Sequence, residues 1–385
     1  MLTHKPITNA FDLYSWFTLM RTTNPVTYDE DHHAWNVFSY KDVYQILTDP
    51  KTFSSHILPG EGFIETSILM IDPPMHRHYR NLVSQAFTPR RIAQLEPRIT
   101  EIVDTYLDSV IESGKMDVIQ DLSYPLPLVV ICEMLGIPME DRDFFGYWTE
   151  IVIAEFAKFQ GGDLEAQQKL GAYFLQIADL RRKEPKDDLI SALLTAQVDG
   201  ERLSDRDIQS FCMILLLAGS ETTRNLIGNA IYALTEHPEV LAQVQNNLEL
   251  VPQAIEEVIR YYSPVRFAFR VATSDVILGG QQIKAGQLIF PWIASANRDE
   301  HHFTSAEHFT LDRPAQQHVG FGHGIHFCLG APLARLEARI ALTSMLQRLK
   351  CLRLSHEEHL EAIVSPSLQG LQKVPVYFQP GTPLR

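Results

Sequence analysis

Cysteine is scarce in this chain: four in 385 residues, at positions 132, 212, 328 and 351. No two of them form a Cys-x-x-Cys or similar pair, which argues against a zinc framework or a disulfide scaffold and suits a reducing cytoplasm. Gly/Ser-rich and Pro-rich linkers are missing, as are internal repeats, so residues 1–385 read as a single domain. Basic residues are outnumbered 33 to 47, a net charge of −14 that disfavours a nucleic-acid-binding surface. The longest apolar run, Cys212 to Ala218, is far short of the roughly 20 residues a bilayer span needs. Met1-Leu2-Thr3-His4-Lys5-Pro6 has no signal-peptide pattern, so a soluble protein with no membrane attachment is expected. No Gly-x-Gly-x-x-Gly follows a strand pattern, and bound flavin or NAD is not expected.

What is present is enough for a large core, with 45% hydrophobic and 21% charged residues. Ala34 to Phe38 reads as strand and Asp42 to Leu47 as helix. From Asp72 to Ala254 nearly every signal is helical. Asp72-Pro73-Pro74 predicts a helix start with Asp as N-cap, and Thr88-Pro89 repeats the device. Ser204-Asp205-Arg206-Asp207 opens one long helix that stops before Pro238, with a kink or opening expected at Gly219 to Thr223. After a helix at Ala254 to Tyr262, strands are predicted at Val276 to Leu278, Ile283 and Leu288 to Phe290. Ala331 to Leu349 is helical again, and the fold class is mainly α with a smaller β-rich part.

The chemistry concentrates at Phe321-Gly322-His323-Gly324-Ile325-His326-Phe327-Cys328-Leu329-Gly330. Three glycines let the backbone turn tightly and approach a flat ligand, and the helix beginning at Ala331 favours a thiolate at its N-terminus. A structural cysteine or a thiol nucleophile are the other readings, though no base or orienting acid accompanies the sulfur. Phe-x-x-Gly-x-His-x-Cys-x-Gly closely resembles the haem-binding loop of the cytochromes P-450, and the order of elements along almost the whole chain is similar to that fold.

This resemblance implies a role for each of several residues. Cys328 would be the axial ligand of haem b, with Phe321 and Gly330 shaping its loop. His76, Arg80, Arg270 and His326 fall at the family's propionate positions; taken alone, His76 and Arg80 would read as a solvated helix face. Glu257 and Arg260 match the Glu-x-x-Arg pair, with Arg313 as third member, where the plain alternative is a weak surface ion pair. In Ala218-Gly219-Ser220-Glu221-Thr222-Thr223, Ala218 and Gly219 would make room for O2, while Glu221 and Thr222 deliver protons; simple helix packing is the other reading.

The implied activity is monooxygenation, the hydroxylation or epoxidation of a medium-sized hydrophobic substrate. Electrons would come from a separate ferredoxin or flavodoxin with its NAD(P)H-dependent reductase. Alternatives are a haem-thiolate peroxygenase, isomerase or reductase, or a haem-based sensor. Arg77, Arg80, Arg335 and Arg339 are candidates for a basic docking face, and the protein is expected to be a monomer. Pocket segments are expected near Ser54 to Leu69, Val152 to Phe159, Leu215 to Thr222, Val265 to Phe269 and Pro366 to Leu368, with Leu215, Ala218, Val265, Phe267 and Leu368 as lining residues. Arg266 is expected to face solvent, with contact to a substrate carboxylate as the other reading.

Overall fold

The computed structural model describes residues 13–57, 63, 66–157, 164–198, 200–314, 317–355 and 360–384. They cluster into two units, one made of the chain up to Ser54 with Glu96–Leu126 and Thr222–Arg385, the other of Ser55–Leu95 with Pro127–Glu221.

In the first unit, strand-forming residues gather into a five-stranded sheet ordered Val26–Asp29, Ala34–Val37, Leu288–Pro291, Arg270–Ala272 and Phe53–Ser54. The Leu288–Pro291 and Ala34–Val37 pairing is parallel, and the other three are antiparallel. Val43, Ile46, Phe53, Ile289, Phe303 and Val319 close its core. Each such side chain contributes about 1.5–3 kcal/mol by leaving water. Val319 matters twice, because the cysteine loop leaves from it. A second sheet joins Lys350–Leu354, Pro375–Gln379 and Lys115–Asp117, all antiparallel. The Ala331–Arg348 helix packs against both Glu96–Val110 and Val251–Tyr261.

The second unit is largely helical. Its Met75–Ala86 helix starts later than the sequence suggests, and the carboxylate of Asp72 accepts from Ser55 N at 3.0 Å. Two consecutive prolines lack N–H groups, and the second disfavours helical backbone at the first. Thr88 does cap the next helix, accepting from Arg91 N. Ser204 and Asp207 form a reciprocal box: each side chain accepts the other's backbone N–H. The long helix Asp205–Glu236 that follows is unbroken through Gly219 to Thr223, contrary to the expected kink. Ser220 Oγ donates to Leu216 O at 2.8 Å within that stretch, and buried neighbours on either side outweigh the weak propensities. The strands at Lys115–Asp117, Gln197–Val198 and Glu201–Arg202 interrupt the stretch expected to be helical. Two or three residues are too few to show an alternating pattern.

Glu337, on the Ala331–Arg348 helix, is 1% exposed, and its Oε2 has no partner among the described residues. Burial pushes its carboxyl up from the ordinary 4.5 to about 8. The unfolded chain ionises first, so stability is full below the unfolded value and falls as pH rises towards the folded one. Glu337→Gln is expected to remove that fall, a gain on the order of 3 kcal/mol at pH 8 relative to acid conditions. Urea unfolding of both proteins at pH 5.5 and pH 8 checks this; equal pH dependence in the two would refute it.

Candidate active site

The cysteine loop is held by its own backbone. Cys328 N donates to Phe321 O at 2.9 Å, Gly322 N to Val319 O at 2.9 Å, and Phe327 N to Gly324 O at 3.1 Å. Gly322 and Gly324 take φ values of +70° and +68°, where a side chain would be strained, and a Cβ on Gly324 would also lie 2.7 Å from Leu47 O. Val319 N donates to Asn297 Oδ1 at 2.8 Å, fixing where the loop begins. Gly330 is the N-cap of the Ala331–Arg348 helix. Among the described residues, a Cβ added there would meet within 4 Å only Cys328 Sγ, at 3.9 Å, so glycine keeps the ground beside the sulfur clear. Cys328 is partly exposed, and Phe321, Ile325, Phe327 and Leu329 around it are also uncovered in part. The loop therefore leaves a sulfur partly uncovered among partly uncovered apolar side chains. His326 ends a short turn in the same loop.

Beneath the loop, Glu257 and Arg260 are 6% and 2% exposed, which rules out a surface pair. All five guanidinium donors of Arg260 are used. Nε and Nη2 reach the two Glu257 oxygens at 2.8 Å each, Nη1 reaches Asn297 O at 2.9 Å and Ala306 O at 2.8 Å, and Nη2 also reaches His308 O at 3.1 Å. Arg313 Nη2 lies 3.4 Å from Glu257 Oε1, and Thr310 N donates to that oxygen at 3.1 Å. The Asn297 that receives Arg260 is the residue that holds Val319. Arg270, 7% exposed, sits on the Arg270–Ala272 strand of the same unit, and its Nη1 donates to Phe269 O at 2.6 Å.

In the second unit His76 is 2% exposed, and Arg80, one turn on, is partly exposed. The solvated-face reading thus fails for His76. The long helix is buried from Phe211 to Leu217 and from Asn225 to Ile231. Between these lies a window: Ala218 is exposed, and Gly219, Glu221 and Thr222 are partly so. At Gly219 an added Cβ would meet Ile131 Cδ1 at 2.8 Å, so the small residue there also serves close packing.

Of the pocket segments, residues 58–62, 64–65 and 158–159 lie outside the described residues. Val265 and Leu368 are joined by an antiparallel bridge, and both are partly exposed. Leu215 is nearly covered, at 9%. Phe267 is not a lining residue: at 3% exposure its ring packs among Phe269, Phe290 and Trp292, with centroids 5.2, 5.0 and 4.6 Å away. Arg266 is corrected too. It is 1% exposed, donates from Nη1 to Ser365 O at 2.8 Å, and burial pulls its pKa down to about 10.

Two buried asparagines escaped the sequence reading. Asn229 Nδ2 donates to Tyr262 O at 3.1 Å and Gln369 O at 3.2 Å, and Asn225 lies against Gly370, where a Cβ would come within 2.3 Å of its Oδ1. Asn229 thereby ties the long helix to the segment carrying Leu368. Polar residues four apart in an apolar helix were the available signal. Of the arginines expected at a docking face, Arg335 is paired with Glu256 and Arg339 with Glu96 at 2.9 Å.

No helix among the described residues is long and apolar enough to cross a membrane. A family model for cytochrome P450 matches residues 164–377. Cytochrome P450 109 of Bacillus spizizenii is 45% identical over 366 residues, covering 93% of this chain and 89% of that one. Cyclomarin C epoxidase CymV of Salinispora arenicola is 41% identical over 353 residues, covering 87% and 88%. The crystal structure of CYP109E1 from Bacillus megaterium in complex with testosterone matches with a TM-score of 0.89 and 41% identity, over 96% of this chain and 100% of that one. With that sequence likeness running the length of a mainly α fold, the chain belongs to the cytochrome P450 family of bacterial type and is a haem-dependent monooxygenase that hydroxylates or epoxidises organic substrates.

Proposed function

We propose that Cys328 supplies the axial thiolate to haem b, an assignment carried by the loop geometry around its sulfur. The donor set suits the group: a soft sulfur at a helix N-terminus, apolar side chains beside it, and a clear approach over Gly330. His76, Arg80, Arg270 and His326 receive the propionates, for which cationic and N–H donors are the matching chemistry. Ala218 and Gly219 leave room for O2 at the exposed window of the long helix. Bound haem supplies the activation of O2 and the transfer of one oxygen atom to substrate. Glu221 and Thr222 hold and pass the protons that this requires, a carboxylic acid feeding a hydroxyl at the same window. Residues 1–385 act as a single domain and as a monomer in the cytoplasm. Electrons arrive from a separate ferredoxin or flavodoxin and its NAD(P)H-dependent reductase, without bound flavin.

The substrate is a medium-sized hydrophobic molecule. Val265, Phe269 and Leu368 offer apolar surface on the bridged strap of the first unit, and testosterone in the CYP109E1 structure makes a steroid the first probe. Titration with testosterone and a panel of other hydrophobic compounds should produce a low-to-high-spin absorbance shift with at least one of them, followed by an oxygenated product when a surrogate ferredoxin system supplies electrons. NADPH oxidation with no oxygenated product from any compound that shifts the spectrum would contradict this function. Thr222→Ala is expected to keep haem and NADPH consumption but to lower product per NADPH by about tenfold or more, with peroxide released instead. Unchanged coupling would remove Thr222 from proton delivery.

A further inference from the structure

Glu256 and Glu257 are consecutive on the Val251–Tyr261 helix, yet they hold different arginines. Glu257 takes Arg260 inside the core, whereas Glu256 takes Arg335, seven residues beyond Cys328 on the Ala331–Arg348 helix. Arg335 Nε and Nη2 meet the two Glu256 oxygens at 2.6 and 2.8 Å, a bidentate fork. His318 Nε2 lies 3.1 Å from Glu256 Oε2 on the other side. The fork places the guanidinium carbon 4.4 Å from the centre of the Phe321 ring, the first residue of the cysteine loop. Phe321 O is in turn the acceptor for Cys328 N at 2.9 Å. Arg335 is therefore one ring and one hydrogen bond from the backbone that aims the sulfur.

Stability alone does not explain this arrangement. The side chains of Arg335 and Glu256 are 38% and 40% exposed, and pairs so placed contribute little to folding. Their geometry is nonetheless well determined, because a planar fork fixes direction as well as distance, and a cation over an aromatic face adds a second restraint. Electrostatics points the same way. Against a burial penalty that would raise it, hydrogen bonds from Arg335 and His318 hold the Glu256 carboxyl down to about 2. Arg335 is raised chiefly by its hydrogen bond to Glu256, and the Cys328 sulfur adds to that effect, which places the two within electrostatic reach. A fixed positive charge near a sulfur that ligates iron favours the form carrying one more electron.

We infer that Arg335, oriented by Glu256 and His318, is a positioning residue that pins the Phe321 end of the cysteine loop and raises the reduction potential of the haem. The inference rests on the assignment of Cys328 as the ligand. Three full-length variants loaded with haem test it, with the midpoint potential and the reduced-CO spectrum as readouts. Arg335→Leu is expected to lower the potential and to move part of the CO absorbance from ~450 nm to shorter wavelength, as the sulfur loses its alignment. Arg335→Lys keeps the charge without the fork, so it should retain most of the potential while still losing part of the band. Glu256→Gln removes a nearby negative charge and should shift the potential upward, and because it also breaks the fork it should lose part of the ~450 nm band as Arg335→Lys does. Opposite shifts from the two members of one pair are what a merely structural role would not give. Wild-type potential and band in all three variants would overturn the inference. A missing band in the unaltered protein would instead overturn the ligand assignment, so the two failures are distinguishable.

Discussion

Arg260→Ala is expected to yield a chain that neither melts cooperatively nor retains haem. Five donors disappear from a site that is 2% exposed, and what they leave behind is worse than what they contributed. Among the described residues Glu257, 6% exposed, then keeps only Thr310 N at 3.1 Å and the longer contact from Arg313 at 3.4 Å. Stranding a buried charge costs on the order of 3–5 kcal/mol. The carbonyls of Asn297 and Ala306 lose their Arg260 donor, at roughly 1–3 kcal/mol for each left dry, while that of His308 keeps Arg313 Nη2 at 2.9 Å. A typical native state has only about 5–15 kcal/mol in hand. Arg98→Ala is the control: its pair with Glu101 also spans three residues of a helix, but the side chains are 45% and 42% exposed, so stability should change by about 0.5 kcal/mol or less. Urea midpoints for the two variants decide the matter. An Arg260→Ala protein with the wild-type midpoint would show that the core network is dispensable.

The same pair shows how far the sequence could be read. Glu257 and Arg260 at a spacing of three are visible as helix neighbours, but the carbonyls that complete the network come from the segment Asn297 to His308, which no local pattern links to them. Long periodic helices, Asp205–Glu236 and Ala331–Arg348 among them, were legible because a repeated apolar spacing survives any tertiary context. The Lys115–Asp117 strand was not, since its existence depends on Pro375–Gln379 arriving beside it. Around the site, glycine-rich punctuation exposed the cysteine loop, whereas Glu256 was hidden by the stronger motif that starts one residue later. Arg266 and Phe267 were misjudged for one reason: a short extended segment does not declare which side faces the core until its neighbours are in place. The expected break at Gly219 to Thr223 failed similarly, because packing outweighed intrinsic preference.

Cys328→Ala is expected to abolish monooxygenase turnover while leaving the fold intact. The side chain is partly exposed, and its loop is fixed by backbone hydrogen bonds and by Gly322 and Gly324, none of which involves the sulfur. Loss of a partly exposed thiol should change stability of the haem-free chain by less than about 1 kcal/mol. Chemistry is another matter, since thiolate ligation is what pushes electron density towards oxygen cleavage. The direct measurement is the difference spectrum of reduced, CO-treated protein, taken for the unaltered chain and for Cys328→Ala after loading with haem. The assignment predicts a band at ~450 nm in the first and none in the second; a band that survives the substitution would contradict it.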